Sequence, residues 1–187
     1  MAFATWAAAR RTLSGTFAAL LVLVVSMTSL PAHADLGAAA RSVPAAELVG
    51  QGRLTFLGFR VFDAELFAPN GRYDPSEPFA LKLTYLRNFT GAAIASETVK
   101  QMRRQGYSNT AKLADWEQRL SAMFPNVRRG ESITGVRTSS GVTDLYYGNR
   151  KIGTIRDSEF TRRFFSIWLG SNTKNPSLRA RLVGART

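Results

Sequence analysis

The order in which apolar spacing changes along this chain constrains its fold more than any other feature. Leu54 and Phe56 alternate with Arg53 and Thr55, and Phe62, Ala64 and Leu66 alternate with Val61, Asp63 and Glu65. Phe79, Leu81, Leu83 and Tyr85 then recur at the same period of two. That period belongs to a half-buried strand, which sends one row of side chains inward and the other to water. The strand-like pattern starts at Leu48. Gly58 marks a turn or a bulge between the first two runs, and the stretch from Ala68 to Pro78 is rich in turn residues. After Thr90-Gly91 the spacing becomes helical. Ile94, Thr98, Gln101 and Met102 predict a helix ending near Gly106, and Leu113, Trp116, Leu120 and Phe124 predict a second that Pro125-Asn126 stops. Ile133 to Thr138, Val142 to Tyr147 and Lys151 to Ile155 read as strands. Asp157-Ser158 caps a further helix with a Phe160, Phe164, Ile167 and Trp168 stripe, and Pro176 opens a short terminal helix through Leu182. Strands, two helices, strands and helices again make one α+β domain over residues 48–187. Residues 35–47 are Ala-rich, contain Pro44 and lack a core pattern, so a flexible lead-in is expected there.

Ahead of that lead-in, residues 1–34 have the layout of a secretory signal peptide. Arg10 and Arg11 supply a positive N-terminal region, and no acidic residue precedes Asp35. Phe17 to Val25 is an unbroken apolar run, and Ala32-His33-Ala34 offers a small-x-small cleavage site. The run is short of the ~20 residues that a spanning helix needs, so cleavage before Asp35 is expected rather than a retained anchor. The residues after Arg10-Arg11 fit a twin-arginine signal only loosely, which favours general secretion. The expected destination is the periplasm or the medium.

Cleavage would simplify the chemistry. The chain of 187 residues has no Cys, and its one His, His33, lies in the leader. The remaining 153 residues therefore contain neither residue. Ser-His-Asp and Cys-His catalysis, thiolate centres and His-ligated metals are all excluded, and no metal or cofactor is expected. The formal charge of +12 falls to +10 and is spread as Arg pairs, among them Arg103-Arg104, Arg128-Arg129 and Arg162-Arg163. No nucleic-acid-binding motif accompanies them, so an anionic envelope surface or plain solvation is expected in place of nucleic acid. Asp63 and Glu65 lie roughly 7 Å apart on one strand face, where a solvated pair is the expectation rather than glycosidase carboxylates. Asp157 and Glu159 are expected to serve the start of a helix.

Three stretches together resemble the bacterial chalcone isomerase-like family. They are Gly50-Gln51-Gly52-Arg53-Leu54 running into Val61 to Phe67, then Trp116 to Pro125 with Gly130, and finally Gly148 to Ile155 leading through Asp157 and Phe160 to Ile167-Trp168-Leu169-Gly170. The resemblance spans about residues 48–184. It implies an antiparallel β-sheet with helices packed on one face, an open sandwich that agrees with the element order above. It also implies one of two activities, since the family includes enzymes that close chalcones to flavanones and relatives that bind fatty acids and catalyse nothing.

Flavanone closure adds a phenolate to an enone, which needs a cation to hold the anion and hydroxyls to stabilise and protonate the enolate. By the resemblance, Arg53 falls near the arginine that the enzymes use for the anion. The catalytic Tyr that they carry shortly after a Thr-Gly is replaced here by Ile94, which cannot donate a proton. Binding a fatty acid needs only an Arg and a hydroxyl on the carboxylate, with an apolar cleft for the tail. Arg53, Arg60 and Tyr85 are the candidate ligand-binding residues, Arg60 because it shares strand parity with Phe62, Ala64 and Leu66. The expected protein is thus exported and cofactor-free and binds a small apolar carboxylate, or a phenolic ligand, without turnover. The alternatives are a cofactor-free isomerase or intramolecular lyase, and a structural envelope protein whose cleft its own side chains fill.

Overall fold

The computed structural model describes residues 36–184, and the expected signal peptide lies outside them. Six strands form one antiparallel sheet in sequence order: β1 (Ala46–Phe56), β2 (Phe59–Pro69), β3 (Phe79–Tyr85), β4 (Ser132–Arg137), β5 (Thr143–Tyr147) and β6 (Arg150–Ile155). The helices α1 (Gly91–Arg104) and α2 (Thr110–Met123) are inserted between β3 and β4, while α3 (Ser158–Leu169) and α4 (Pro176–Leu182) follow β6. The α+β reading and the element order are as the spacing predicts.

The main core lies between one face of the sheet and the four helices. Phe62, Ala64 and Leu66 of β2 meet Phe79, Leu81, Leu83 and Tyr85 of β3, under Val99, Met102, Leu113, Trp116, Phe160 and Phe164 from the helices. Helices α1, α2 and α3 each start on a residue whose side chain satisfies otherwise orphaned N–H groups. Thr90 accepts from the Ala93 N–H, Asn109 from Lys112, and Asp157 from both Glu159 and Phe160. Trp116 is fully buried, and its indole N–H donates to the same Asp157 carboxylate at 3.2 Å, which ties α2 to the start of α3.

The Gly50-x-Gly52 pair has a packing reason. A Cβ at Gly50 would lie 2.0 Å from the Arg181 carbonyl oxygen, and one at Gly52 would lie 2.7 Å from Leu178. Two missing side chains on one face of β1 therefore let α4 lie against that strand.

Two expectations change. Residues 36–47 are not an unpacked lead-in, because Gly37–Ser42 form a 3-10 helix and β1 already begins at Ala46. Leu36, Ala39 and Val43 are buried against Phe67, Ala80, Val136 and Tyr146, which belong to the opposite face of the sheet. Helices α1 to α4 do pack on one face, but this turn covers part of the other. The cause is tertiary: apolar residues spaced i, i+3 and i+7 fit a stripe formed by one residue from each of four strands, β2 to β5. Gly58 resolves as a turn, with Leu57 and Gly58 both at positive φ joining the paired residues Phe56 and Phe59. Among the described residues no helix is long and apolar enough to cross a membrane, and no cluster of His, Cys, Asp or Glu could hold a metal ion.

Candidate ligand cleft

A cleft of about 860 Å³ opens between the start of β3, the end of β4, and helices α3 and α4. Its position follows from strand register. Phe79 pairs with Arg137, so the two side chains leave the sheet on the same face, toward the helices. Ile133 and Gly135 precede Arg137 on that face, and only its place at the strand end spares the guanidinium full burial.

The floor is aromatic and aliphatic. Tyr73, from the loop before β3, meets Phe79 edge-to-face at 5.2 Å between ring centres, and Phe79 meets Phe165 of α3 at 4.7 Å. Leu169 and Val183 complete the apolar lining. Three arginines surround it. Arg179 of α4 donates from Nε to the Leu169 carbonyl at 2.8 Å, which fixes its guanidinium against the end of α3. Arg137 donates from Nη1 to the Thr138 carbonyl at 3.3 Å, and Arg162 stands exposed at the rim. No Asp or Glu lines the cleft.

Burial pushes the Tyr73 hydroxyl up to about 12, against the opposing pull of Arg179 and Arg137, with Asp74 adding to the rise. The phenol therefore stays a neutral O–H donor throughout the physiological range. Two half-buried guanidiniums and one neutral hydroxyl above an apolar floor supply the donors and the apolar surface that an anion with a hydrophobic body requires.

None of the three residues proposed from the sequence lines this cleft. Arg53 forms a two-pronged ion pair with Asp63, at 2.6 Å from Nε and 2.9 Å from Nη2, and both side chains are exposed. Its pairing to Asp63, and that of Asp63 to Thr84, put it on the sheet face away from the helices, beside a shallow depression that also includes Gln51 and Glu65. Tyr85 pairs with Phe62 on the opposite face, where it is buried between Phe62 and Phe89. Burial holds its hydroxyl well above the ordinary tyrosine range. Arg53 and Tyr85 therefore cannot grip one ligand. Arg60 does not keep the parity of Phe62, because an irregularity pairs Phe62 with Leu54 but Arg60 with Thr55, which turns Arg60 to the other face, exposed on the projecting hairpin.

The other acidic groups behave as the sequence implies. Asp63 and Glu65 lie on the outer face, Glu65 facing Lys82 at 3.5 Å, and Asp157 caps α3. Ile94 sits in the first turn of α1, half-buried against the main core.

Comparison with known proteins agrees with this architecture. A crystal structure of a fatty-acid binding protein from Arabidopsis thaliana is similar over 75% of this chain and 87% of its own, with a TM-score of 0.58 and 11% sequence identity. At that identity the likeness concerns the fold. No curated protein sequence matches the chain. The sequence model of the family described as chalcone isomerase-like matches residues 47–184. That span covers all six strands but for the first residue of β1, together with all four α-helices, and the chain belongs to the chalcone isomerase-like family.

Proposed function

We propose that this protein binds a small apolar acid, of the fatty-acid type, in the cleft between β3, β4, α3 and α4, and does not transform it. The observation that carries the proposal is the placing of Tyr73, Arg137 and Arg179 around an apolar floor whose lining has no acidic residue. A carboxylate there takes charge-assisted hydrogen bonds from the guanidiniums and the phenol, while its chain lies on Phe79, Phe165 and Leu169. The fatty-acid binding function of a protein with this fold supports the choice of ligand. Ile94, where the enzymes carry a tyrosine, supports binding over turnover. The open volume supports it over a purely structural role, in which side chains would fill the cleft.

We propose further that the chain is exported in a bacterium and works in the envelope after cleavage before Asp35. The support is the n-region, apolar run and small-x-small site within residues 1–34. N-terminal sequencing of the protein recovered from an envelope fraction should begin at Asp35, and an intact Met1 terminus in the cytoplasm would contradict export. Native mass spectrometry with a saturated medium-chain fatty acid tests the ligand. A retained 1:1 complex is expected, and an indifferent protein, or cyclisation of a chalcone, would contradict the binding proposal.

A further inference from the structure

The β1–β2 hairpin carries the largest solvent-exposed apolar side chains of the described residues at its very end. Phe56 is 66% exposed, Leu57 80% and Phe59 59%. Leu54, Thr55 and Phe56 pair with Phe62, Arg60 and Phe59, whereas β2 pairs with β3 only from Phe62, so the tip reaches roughly 10 Å past the last β2–β3 pair by strand rise. Folding gives no reason for this composition. A two-residue turn with both φ positive is ordinarily built from Asn-Gly or Gly-Gly. Here a leucine occupies the first position at φ +48, a conformation unfavourable for a branched side chain, and does so where it packs against little. A polar residue there would fold better.

The antiparallel order puts the ends of β1, β3 and β5 and the starts of β2, β4 and β6 at this same end of the sheet. Arg60, Arg87, Arg128, Arg129 and Arg150 are all exposed in those strand ends and loops. The Arg87 guanidinium stacks over the Phe59 ring at 4.8 Å from its centre. The Arg129 N–H is held by Asn88 at 3.0 Å, which keeps that arginine beside Arg87 in space. Glu131 is the acid of this loop group, and its carboxylate accepts the Arg128 backbone N–H at 2.7 Å.

We propose that this end of the molecule docks on an anionic lipid bilayer, with Phe56, Leu57 and Phe59 entering the boundary between headgroups and acyl chains. This goes beyond ligand binding in the cleft, which opens at the other end of the sheet. A convex tip of three side chains is too small for a stable protein interface, which buries about 1,200 Å² or more. It does match the 5–10 Å depth to which interfacial segments enter a bilayer. The surrounding arginines match phosphate headgroups, and each cation near such a surface contributes about fivefold in partitioning.

The chain has no Cys, so a single reporter can be placed cleanly. The processed protein beginning at Asp35 and carrying Leu57→Cys, labelled with an environment-sensitive fluorophore, is mixed with vesicles of equal parts phosphatidylglycerol and phosphatidylcholine. Ser140→Cys in the β4–β5 turn, at the opposite end of the sheet, serves as the control. A blue shift with quenching by brominated lipid is expected at position 57 and not at 140. Adding Phe56→Ser and Phe59→Ser should lower the partition coefficient by about tenfold or more. Adding Arg87→Glu and Arg129→Glu instead should lower it by about 25-fold or more and leave the thermal melt nearly unchanged. The proposal is overturned by no shift at position 57, by equal shifts at both positions, or by equal insertion into pure phosphatidylcholine. It is also overturned if the tip drives concentration-dependent self-association without vesicles, which would make a second copy the occupant.

Discussion

Replacing Asp157 with alanine tests whether one carboxylate holds the start of α3, and with it one wall of the cleft, in place. Its Oδ1 accepts the N–H groups of Glu159 at 2.9 Å and Phe160 at 3.1 Å, while Oδ2 accepts the Trp116 indole N–H at 3.2 Å. Lys112 stands 3.8 Å away. Loss of an N-cap costs about 1 kcal/mol. The Trp116 side chain is fully buried, so its N–H would lose its partner in a dry setting at a further cost of about 1–3 kcal/mol. Together Asp157→Ala should cost about 2–4 kcal/mol, or very roughly 5–15 °C in Tm for a domain of this size. Thermal melts followed by circular dichroism would measure it. Adding Trp116→Phe to both backgrounds separates the two terms, because the cost of Asp157→Ala should then fall back to that of the cap alone.

The acid side of the stability profile gives a second reading of the same group. Burial pushes the Asp157 carboxyl up, but hydrogen bonds from Phe160, Trp116 and Glu159 and the charge of Lys112 outweigh it and hold it below the usual range. A lowered native pKa contributes stability in full above the unfolded value near 4 and loses it as pH falls through the native one. Asp157→Ala should flatten that part of the acid limb. A Tm change within 1 °C, or a cost that Trp116→Phe leaves untouched, would refute the reasoning.

Val43 and Tyr73 test two departures from the sequence-based picture. Val43 is 1% exposed in the packed 3-10 segment, so Val43→Ala should cost about 2 kcal/mol in chemical denaturation, whereas a free lead-in would register no change. Because burial keeps the Tyr73 hydroxyl protonated up to about 12, ligand affinity should be flat between pH 6 and 9. It should fall only as the ligand carboxylate protonates below about pH 5. A break in affinity between pH 6 and 9 would show that some other group titrates in the cleft.

The fold was legible because its elements carry clean periods and punctuation. Thr90 and Asp157 are helix starts that a reader finds from residue type and the apolar stripe that follows. The 3-10 segment was not legible, because Leu36, Ala39 and Val43 acquire meaning only from Phe67, Ala80, Val136 and Tyr146. The site was legible in chemistry and not in position. In the candidate cleft an arginine, a tyrosine hydroxyl and an apolar floor come together as Arg137, Arg179 and Tyr73, and Arg53, Arg60 and Tyr85 do not line it. One signal was present: Arg137 shares strand parity with the core-facing Ile133, where a charged residue needs a reason. Tyr73 sits in a loop and Arg179 on a short helix, so neither has a period that would have pointed inward. The outward face of Arg53 was not legible because a single strand cannot say which face will meet the helices. The Asp63 that neutralises it is fixed only by register across β1 and β2.

Isothermal titration of the protein with dodecanoate at neutral pH, on the parent and four single variants, addresses the central claim most directly. One saturable site is expected. Arg137→Ala and Arg179→Ala should each weaken it by roughly 10- to 100-fold, the worth of a hydrogen bond to a charged group. Arg53→Ala and Arg60→Ala should leave it within about twofold, since both residues lie outside the cleft. Full affinity in the Arg137 and Arg179 variants, with loss in Arg53→Ala, would contradict the account and return the site to the outer face of the sheet.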